Sequence, residues 1–207
     1  MPTITNLTLQ KRNKNRVNVY LDGEYAFSLQ KITAAYLRIG QTLDDAKIAE
    51  LHHGDGYERA KEAALRLIEI RPRSVAEVRR RLRDKGYEDD IIEKAVTRLQ
   101  ELALLDDDAF ARYWVEQRDT FKPRSSRALG QELREKGLGR EAIEVALTDV
   151  DDDDAALRAG QKKARSLAHL PQEEFNKKLG GYLQRRGFHY GTVKAVLEQL
   201  WAANTAE

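Results

Sequence analysis

Two acidic runs carry the clearest potential for chemistry. Asp106–Asp108 and Asp151–Asp154 each place carboxylates side by side, and carboxylate oxygens bind Mg²⁺, the metal of many nucleases. Adjacent residues on a helix, however, do not converge on one ion. Each run also precedes an apolar periodic segment, where an aspartate can cap the first backbone N–H groups. We therefore expect capping and linker roles, with no metal and no cofactor.

Other catalytic signals do not occur in the sequence. The four histidines, His52, His53, His169 and His189, have no zinc-ligand spacing. There is no GxxxxGK[ST] or GxGxxG phosphate loop. The absence of cysteine rules out disulfides and thiolate chemistry, and no Ser-His-Asp arrangement can be assigned. We therefore expect that the protein is not an enzyme.

Composition favours several small helical modules over one large core. Of the 207 residues, 34% are charged and 41% are hydrophobic. No apolar run approaches the ~18 residues of a membrane span, and the first residues lack the apolar core of a signal peptide. We therefore expect a soluble cytoplasmic protein with no membrane contact. Since the net charge is only +2, the distribution of charge matters more than its sum.

Basic residues concentrate in a segment that repeats. Arg71–Gly86, RPRSVAEVRRRLRDKG, returns as Lys122–Gly137, KPRSSRALGQELREKG, and more loosely as Leu170–Gly187. The simplest interpretation of such charge is a solvated helical face. Arginine also pairs bidentately with phosphates and with carboxylates, so the cluster favours nucleic acid and an acidic protein surface equally. The candidate binding residues are Arg71, Arg73, Arg79, Arg80, Arg81, Arg83, Lys85, Lys122, Arg124, Arg127, Arg134, Lys136, Lys177, Lys178, Arg185 and Arg186.

Each copy of the segment has the start and stop signals of a helix. The proline suits the first helical turn, and the glycine suits the C′ position, where φ is positive. A leucine stands five residues before the apolar residue that follows each glycine, the spacing of a Schellman cap; the pairs are Leu82 and Tyr87, Leu133 and Leu138, and Leu183 and Phe188. In the first copy Val75, Val78 and Leu82 form the buried stripe, which turns Arg80 and Arg81 outward.

The repeats extend on both sides of this helix. Apolar ladders at helical spacing follow each glycine, at identical offsets; they are Ile92, Ala95, Val96 and Leu99, then Ile143, Ala146, Leu147 and Val150, then Val193, Val196, Leu197 and Leu200. A helical stretch also precedes each copy, at 57–70, 109–120 and 155–168. The sequence thus predicts a mainly α fold, with tandem three-helix repeats in an elongated array, at 57–104, 105–151 and 152–203.

The N-terminal segment, residues 1–56, has a different pattern. Apolar residues alternate strictly at 16–21, recur at 24–29 and alternate imperfectly at 4–10, which indicates two or three strands, and Asp22-Gly23 is a hairpin signal. We predict a small antiparallel β meander, then short helices at Gln30–Leu37 and Leu43–Leu51. Thr42 is the expected cap of the second helix, and HHGDG at 52–56 is the expected linker into the first repeat.

The order and spacing of three motifs resemble the RecX regulatory proteins, negative modulators of the RecA recombinase. These motifs are RPRSVAEVRRRLRDKGY, LLDDDAFARYWVEQR and KPRSSRALGQELREKGL. The resemblance implies a chain of three-helix repeats that docks in the helical groove of a RecA–single-stranded DNA filament. It further implies that the protein limits filament growth, ATP hydrolysis and strand exchange, with no catalytic centre of its own. We expect the protein to be a monomer.

The resemblance also implies which basic positions bind. They are Arg71, Arg73, Arg83 and Lys85, then Lys122, Arg124, Arg134 and Lys136, with Arg186 in the third repeat. Gln184 replaces the arginine of the other two copies there. Two alternatives remain open from the residues alone: a nucleic-acid-binding protein that acts without RecA, and a metal-dependent nuclease that uses the aspartate runs.

Overall fold

A computed structural model describes residues 1–205 and confirms a mainly α fold with a small N-terminal sheet. Contacts divide the chain into two compact units, Met1–Leu105 and Asp106–Glu207. The strands are β1 (Ile4–Leu9), β2 (Arg16–Leu21) and β3 (Glu24–Gln30). The helices are α1 (Lys31–Ala34), α2 (Asp45–Ile70), α3 (Val75–Arg83), α4 (Asp89–Glu101), α5 (Asp107–Phe121), α6 (Ser126–Glu135), α7 (Arg140–Leu147), α8 (Asp152–Ala164), α9 (Gln172–Arg185) and α10 (Tyr190–Thr205). Across residues 1–205 no helix has the length and apolar character needed to cross a membrane.

The sheet is an antiparallel meander in the order β1-β2-β3, as predicted. Asp22 and Gly23 both have positive φ, 49° and 91°, which is the geometry of a type I′ hairpin turn. Ile4, Val19 and Leu29 are fully buried on one face. The short helix α1 and the first turns of α2 cover that face, because a small sheet needs a helix to bury its apolar side.

The prediction of a linker at residues 52–56 is wrong, because α2 runs unbroken from Asp45 to Ile70. Its N-cap is Asp44, which accepts the Lys47 N–H at 2.7 Å, and not Thr42. The helix expected at Gln30–Leu37 shrinks to the four residues of α1.

Tertiary contacts explain why the glycine-rich segment is helical. Asp55 is buried; it accepts the backbone N–H of Gln30 and lies 3.4 Å from the Arg16 guanidinium, so it ties α2 to β2 and β3. Gly56 lies against α4, and a Cβ placed there would stand 2.7 Å from Ile91 Cδ1. The small residue therefore permits close helix packing, and neither contact is visible in the local sequence.

Three helices form each repeat, as predicted. The second half of α2 packs with α3 and α4 around Val78, Leu82 and Ile92. Helices α5–α7 enclose Phe110, Leu133 and Ile143, and α8–α10 enclose Phe175, Leu179 and Leu183. The middle ladder is shorter than expected: α7 ends at Leu147, so Val150 lies beyond the helix. The finer division into four segments at 56, 104 and 151 remains a prediction.

The position predicted for the prolines is wrong. In the first two repeats the proline precedes the N-cap instead of occupying the first turn, because Ser74 and Ser125 take the cap. Their hydroxyl oxygens accept the N–H of Glu77 at 3.1 Å and of Ala128 at 3.2 Å. In the third repeat Pro171 itself is the N-cap.

The Schellman caps are confirmed in all three repeats. The glycines have φ of 80°, 83° and 93°. The backbone N–H of the residue after each glycine donates to the carbonyl of the predicted leucine. The N···O distances are 3.3 Å for Tyr87 to Leu82, 3.2 Å for Leu138 to Leu133 and 3.3 Å for Phe188 to Leu183. The glycine N–H makes the second bond of the motif, at 2.8 to 2.9 Å, to residue 83, 134 or 184.

The second and third repeats are joined directly at this cap. Gly187 packs against the start of α6, and the Ser125 N–H donates to the Arg186 carbonyl at 3.1 Å. Arg186 Nη1 in turn donates to the Pro123 carbonyl at 2.7 Å. On the other side Asp152, in the first turn of α8, accepts the Ser126 N–H at 2.6 Å. The cap of one repeat is thus also part of the interface with the other.

Candidate partner-binding surface

Helix α3 carries the densest arginine cluster, and its buried side decides which arginines face solvent. Val75, Val78 and Leu82 are at most 5% exposed and pack into the first repeat. Arg80 and Arg81 lie on the opposite, exposed side, as the periodicity predicts. The amphipathic pattern of α3 therefore presents these two guanidinium groups to the surroundings.

Internal ion pairs engage three of the predicted first-repeat residues. Arg79 makes a bidentate contact with Glu93 of α4, with Nη2 to Oε2 at 2.6 Å. Arg83 donates to Asp89 at 2.7 Å, and Arg71 spans both oxygens of the buried Glu77 at 3.2 and 3.3 Å. These pairs connect α3 to its neighbours, so an external phosphate would have to displace a carboxylate.

Arg73 is drawn inward. Its Nε donates to the Leu67 carbonyl at 3.4 Å. Burial, followed by the neighbouring Arg71 charge, lowers the pKa of Arg73 below its ordinary value. We therefore infer that Arg73 helps to pack the end of α2 against the residues that precede α3.

The first-repeat cations with the least engagement are Arg80, Arg81 and Lys85, which we name the α3 basic surface. All three are exposed. Among the described residues Arg81 has one distant partner, Asp84 at 4.0 Å, and no ion pair involves Arg80 or Lys85. An exposed ion pair of that kind contributes little, so these charges are available to a partner.

The second repeat does not reproduce this surface. At the position of Arg81 it has Glu132, which accepts from Trp114 Nε1 at 2.7 Å, Arg118 Nε at 2.8 Å and Arg124 at 2.9 Å. The predicted residue Arg124 is therefore part of an internal network. Lys136 lies 4.8 Å from the centre of the Trp114 ring.

The other predicted residues of the second and third repeats differ in their freedom. Arg134 bonds Gln131 at 3.1 Å, Lys178 pairs with Glu174 at 3.4 Å, and Arg186 is held by the Pro123 carbonyl. The remaining predicted binding residues of these two repeats are exposed and form no ion pair with a described residue; they are Lys122, Arg127, Lys177 and Arg185.

A basic pocket in the second unit was missed by the sequence analysis. It has a volume of about 320 Å³ and lies where the end of α5 meets α8 and α9. Its lining includes Phe121, Lys122, Lys162 and Lys163. The sequence shows only that Phe121 and Ile70 each directly precede a basic-Pro-Arg segment. The structure adds that both residues are largely exposed, at 64% and 77%.

The aspartate runs act as helix caps, as predicted. Asp106 accepts the N–H of Asp108 and Ala109 at 2.8 and 3.0 Å. Asp151 accepts the N–H of Asp153 and Asp154 at 2.9 and 3.1 Å. Within residues 1–205 no group of three or more metal-ligating side chains converges. Capping thus accounts for Asp106 and Asp151, the first residue of each run.

Sequence models of four RecX domains match this chain in order. They are the N-terminal domain at residues 2–44 and the first, second and third three-helix domains at 60–99, 106–147 and 151–197. The chain is 34% identical over 206 residues to the regulatory protein RecX of Clostridium botulinum strain Eklund 17B, with 96% of each chain covered. It is 30% identical over 205 residues to RecX of Bacillus subtilis strain 168, covering 97% of this chain and 78% of that protein.

Solved structures agree with this fold. A crystal structure of a regulatory protein RecX matches with a TM-score of 0.74 and 25% identity, covering 96% of this chain and all of that one. RecX from Lactobacillus salivarius matches with a TM-score of 0.61 and 22% identity, over 71% and 97% of the two chains. This second similarity concerns the fold alone.

Proposed function

Because this chain belongs to the RecX family of regulatory proteins, we propose that it binds the RecA–single-stranded DNA filament. In this proposal it acts in the cytoplasm, as a monomer and without a catalytic centre. Binding inhibits filament extension, ATP hydrolysis and strand exchange by RecA. The observation that carries the proposal is the uninterrupted order of RecX domains along the chain, from residue 2 to residue 197.

The α3 basic surface supports the proposal physically. Arg80, Arg81 and Lys85 present charge that internal carboxylates do not neutralise at close range. Guanidinium groups suit both the phosphates of DNA and the carboxylates of a protein surface. A contact based on such exposed charges weakens as salt rises. Dissolved ions screen the charges, and they also oppose the release of counterions that accompanies binding to DNA.

The experiment measures RecA-driven ATP hydrolysis on single-stranded DNA with increasing amounts of the full chain. We expect inhibition, and we expect the chain to sediment with the filament. The Arg80→Gln/Arg81→Gln variant should inhibit less, because the positive charge is lost while the helix-forming propensity is nearly kept.

The matched control is Lys94→Gln/Arg98→Gln on α4. It removes the same charge from exposed residues of the same unit, with side chains 58% and 49% exposed. Inhibition by the control should stay at the level of the unchanged chain. Equal loss in both variants would mean that only net charge matters and would refute the role of the α3 basic surface.

A second candidate function is nucleic-acid binding without RecA, which the basic pocket at the end of α5 favours. Tight binding to bare DNA, with a steep salt dependence that RecA leaves unchanged, would favour this candidate. This candidate also requires that the chain, added at stoichiometric ratios, has no effect on the RecA–single-stranded DNA filament.

A further inference from the structure

The basic pocket at the end of α5 combines positive charge with an exposed aromatic ring. Five cations line it, and its lining contains no carboxylate; the cations are Lys122, Arg158, Lys162, Lys163 and Arg186. Its volume of about 320 Å³ lies within the range of ~300–1,000 Å³ that is usual for ligand pockets. The pocket lies entirely within the second unit.

Two of these cations are fixed by the protein itself. Arg158 donates to Asp154 at 2.7 Å and to the Asp119 carbonyl at 3.0 Å, and the hydrogen bond to the Asp119 carboxylate raises its pKa. Arg186 lies 4.5 Å from the centre of the Tyr182 ring and also donates to the Pro123 carbonyl. These contacts shape the pocket wall.

The three lysines differ, since among the described residues none of them has an ion pair. Lys162 and Lys163 lie in the last turn of α8, where the helix dipole favours cations without any ligand. Lys122 is the C-cap of α5, whose dipole favours its charge in the same way. Three ammonium groups from two helix ends thus surround one concave site with no counter-charge from its lining.

Phe121 indicates what kind of anion fits. It is the last residue of α5, the residue is 64% exposed, and it borders the same pocket. Ammonium groups bind phosphates as point charges, and an exposed aromatic ring next to them stacks on a nucleobase. Bases inside a duplex are already stacked, so such a ring reaches only an unpaired base.

We propose that this pocket binds a short single-stranded nucleic-acid segment, with phosphates at Lys122, Lys162 and Lys163 and one base stacked on Phe121. The inference deepens the proposed function, on which it rests for its biological setting, because the filament contains single-stranded DNA. The binding itself needs no recombinase, so the test uses DNA alone. Failure of this test leaves the ATP hydrolysis result standing, and the reverse also holds.

The first measurement is fluorescence anisotropy of a labelled oligothymidylate with the full chain and with Phe121→Ala. We expect the variant to bind about 5- to 150-fold more weakly, the range for one lost base–aromatic stack. Ile70→Ala is the matched control, because Ile70 is an exposed apolar residue at the equivalent position of the first repeat. Its affinity should not change.

The second measurement is the salt dependence of the same binding for Lys122→Gln/Lys163→Gln. Each phosphate contact that is lost lowers the slope of log affinity against log salt by about 0.7 on single strands. The matched control, Lys47→Gln/Lys194→Gln, removes equal charge from exposed lysines that pair with Glu50 and Glu198 on their own helices. Its slope should equal that of the unchanged chain.

Two substrates complete the test. An abasic oligonucleotide should bind the unchanged chain and Phe121→Ala equally, since it offers no base to stack; a difference between them would overturn the stacking contact. If both pocket variants bind oligothymidylate as their controls do, the proposal is wrong. It is also wrong if the variants lose affinity only for polyglutamate, which would make the pocket a site for an acidic protein.

Discussion

Replacing Gly187 and Gly86 by alanine should have very different costs, although the two glycines hold the same position in their repeats. Both have positive φ, 93° and 80°, so each variant loses about 1–2 kcal/mol from the left-handed backbone. Around Gly86 an added Cβ meets no atom within 4 Å. We therefore expect Gly86→Ala to cost only the backbone term.

At Gly187 the added Cβ collides with the neighbouring repeat. It would lie 2.5 Å from Ser125 Oγ and 2.7 Å from Ala128 Cβ. Neither atom moves freely, because the Ser125 hydroxyl caps α6 and the Ala128 Cβ is fixed by the helix backbone. Overpacking of this kind adds about 1–3 kcal/mol, so the total loss in free energy of unfolding should be roughly 2–5 kcal/mol.

Hydrogen exchange followed by mass spectrometry on the intact chain separates the two sites. Gly187→Ala should lower protection in both α6 and α9, because the collision involves both repeats. Gly86→Ala should lower protection only around α3 and α4. Equal losses at the two glycines, or a Gly187→Ala effect confined to α9, would refute the interpretation of this cap as part of an interface.

Two further predictions concern the long helix α2. Asp55→Ala should lower the free energy of unfolding by about 1–3 kcal/mol, because it leaves the Gln30 backbone N–H without its acceptor and removes the charge partner of the partly buried Arg16, which keeps its bonds to Ser28; urea denaturation followed by circular dichroism checks this, and a loss below ~0.5 kcal/mol would contradict it. Gly56→Ala should change the free energy of unfolding by no more than about 1 kcal/mol, because a gain of ~1 kcal/mol in helix propensity offsets the displacement of Ile91 Cδ1, the end of a flexible side chain that lies 2.7 Å from the added Cβ. In the Ile91→Val background, where that atom is removed, the same change should be more stabilising; an identical effect in both backgrounds would contradict the contact.

Features set by short-range geometry were predictable from the sequence. The five-residue spacing from Leu82 to Tyr87 specifies a Schellman cap, which needs no information from elsewhere in the chain. Asp151 as a cap and Asp22-Gly23 as a hairpin turn belong to the same class. The first-turn proline was misplaced because a serine two residues later is the stronger N-cap.

Features set by distant residues were not predictable. Asp55 turns an apparent linker into helix through contacts with β2 and β3. Glu93 engages Arg79 from fourteen residues away, so counting arginines overstated the free charge of α3. The basic pocket draws its lysines from two separate helices, and a single sequence does not show which residues meet there.

ATP hydrolysis by preformed RecA–single-stranded DNA filaments, measured with and without the full chain, tests the central proposal most directly. The proposal predicts that hydrolysis falls as the chain is added and that the chain sediments with the filament. Unchanged hydrolysis at stoichiometric amounts, with the chain left in the supernatant, would contradict it.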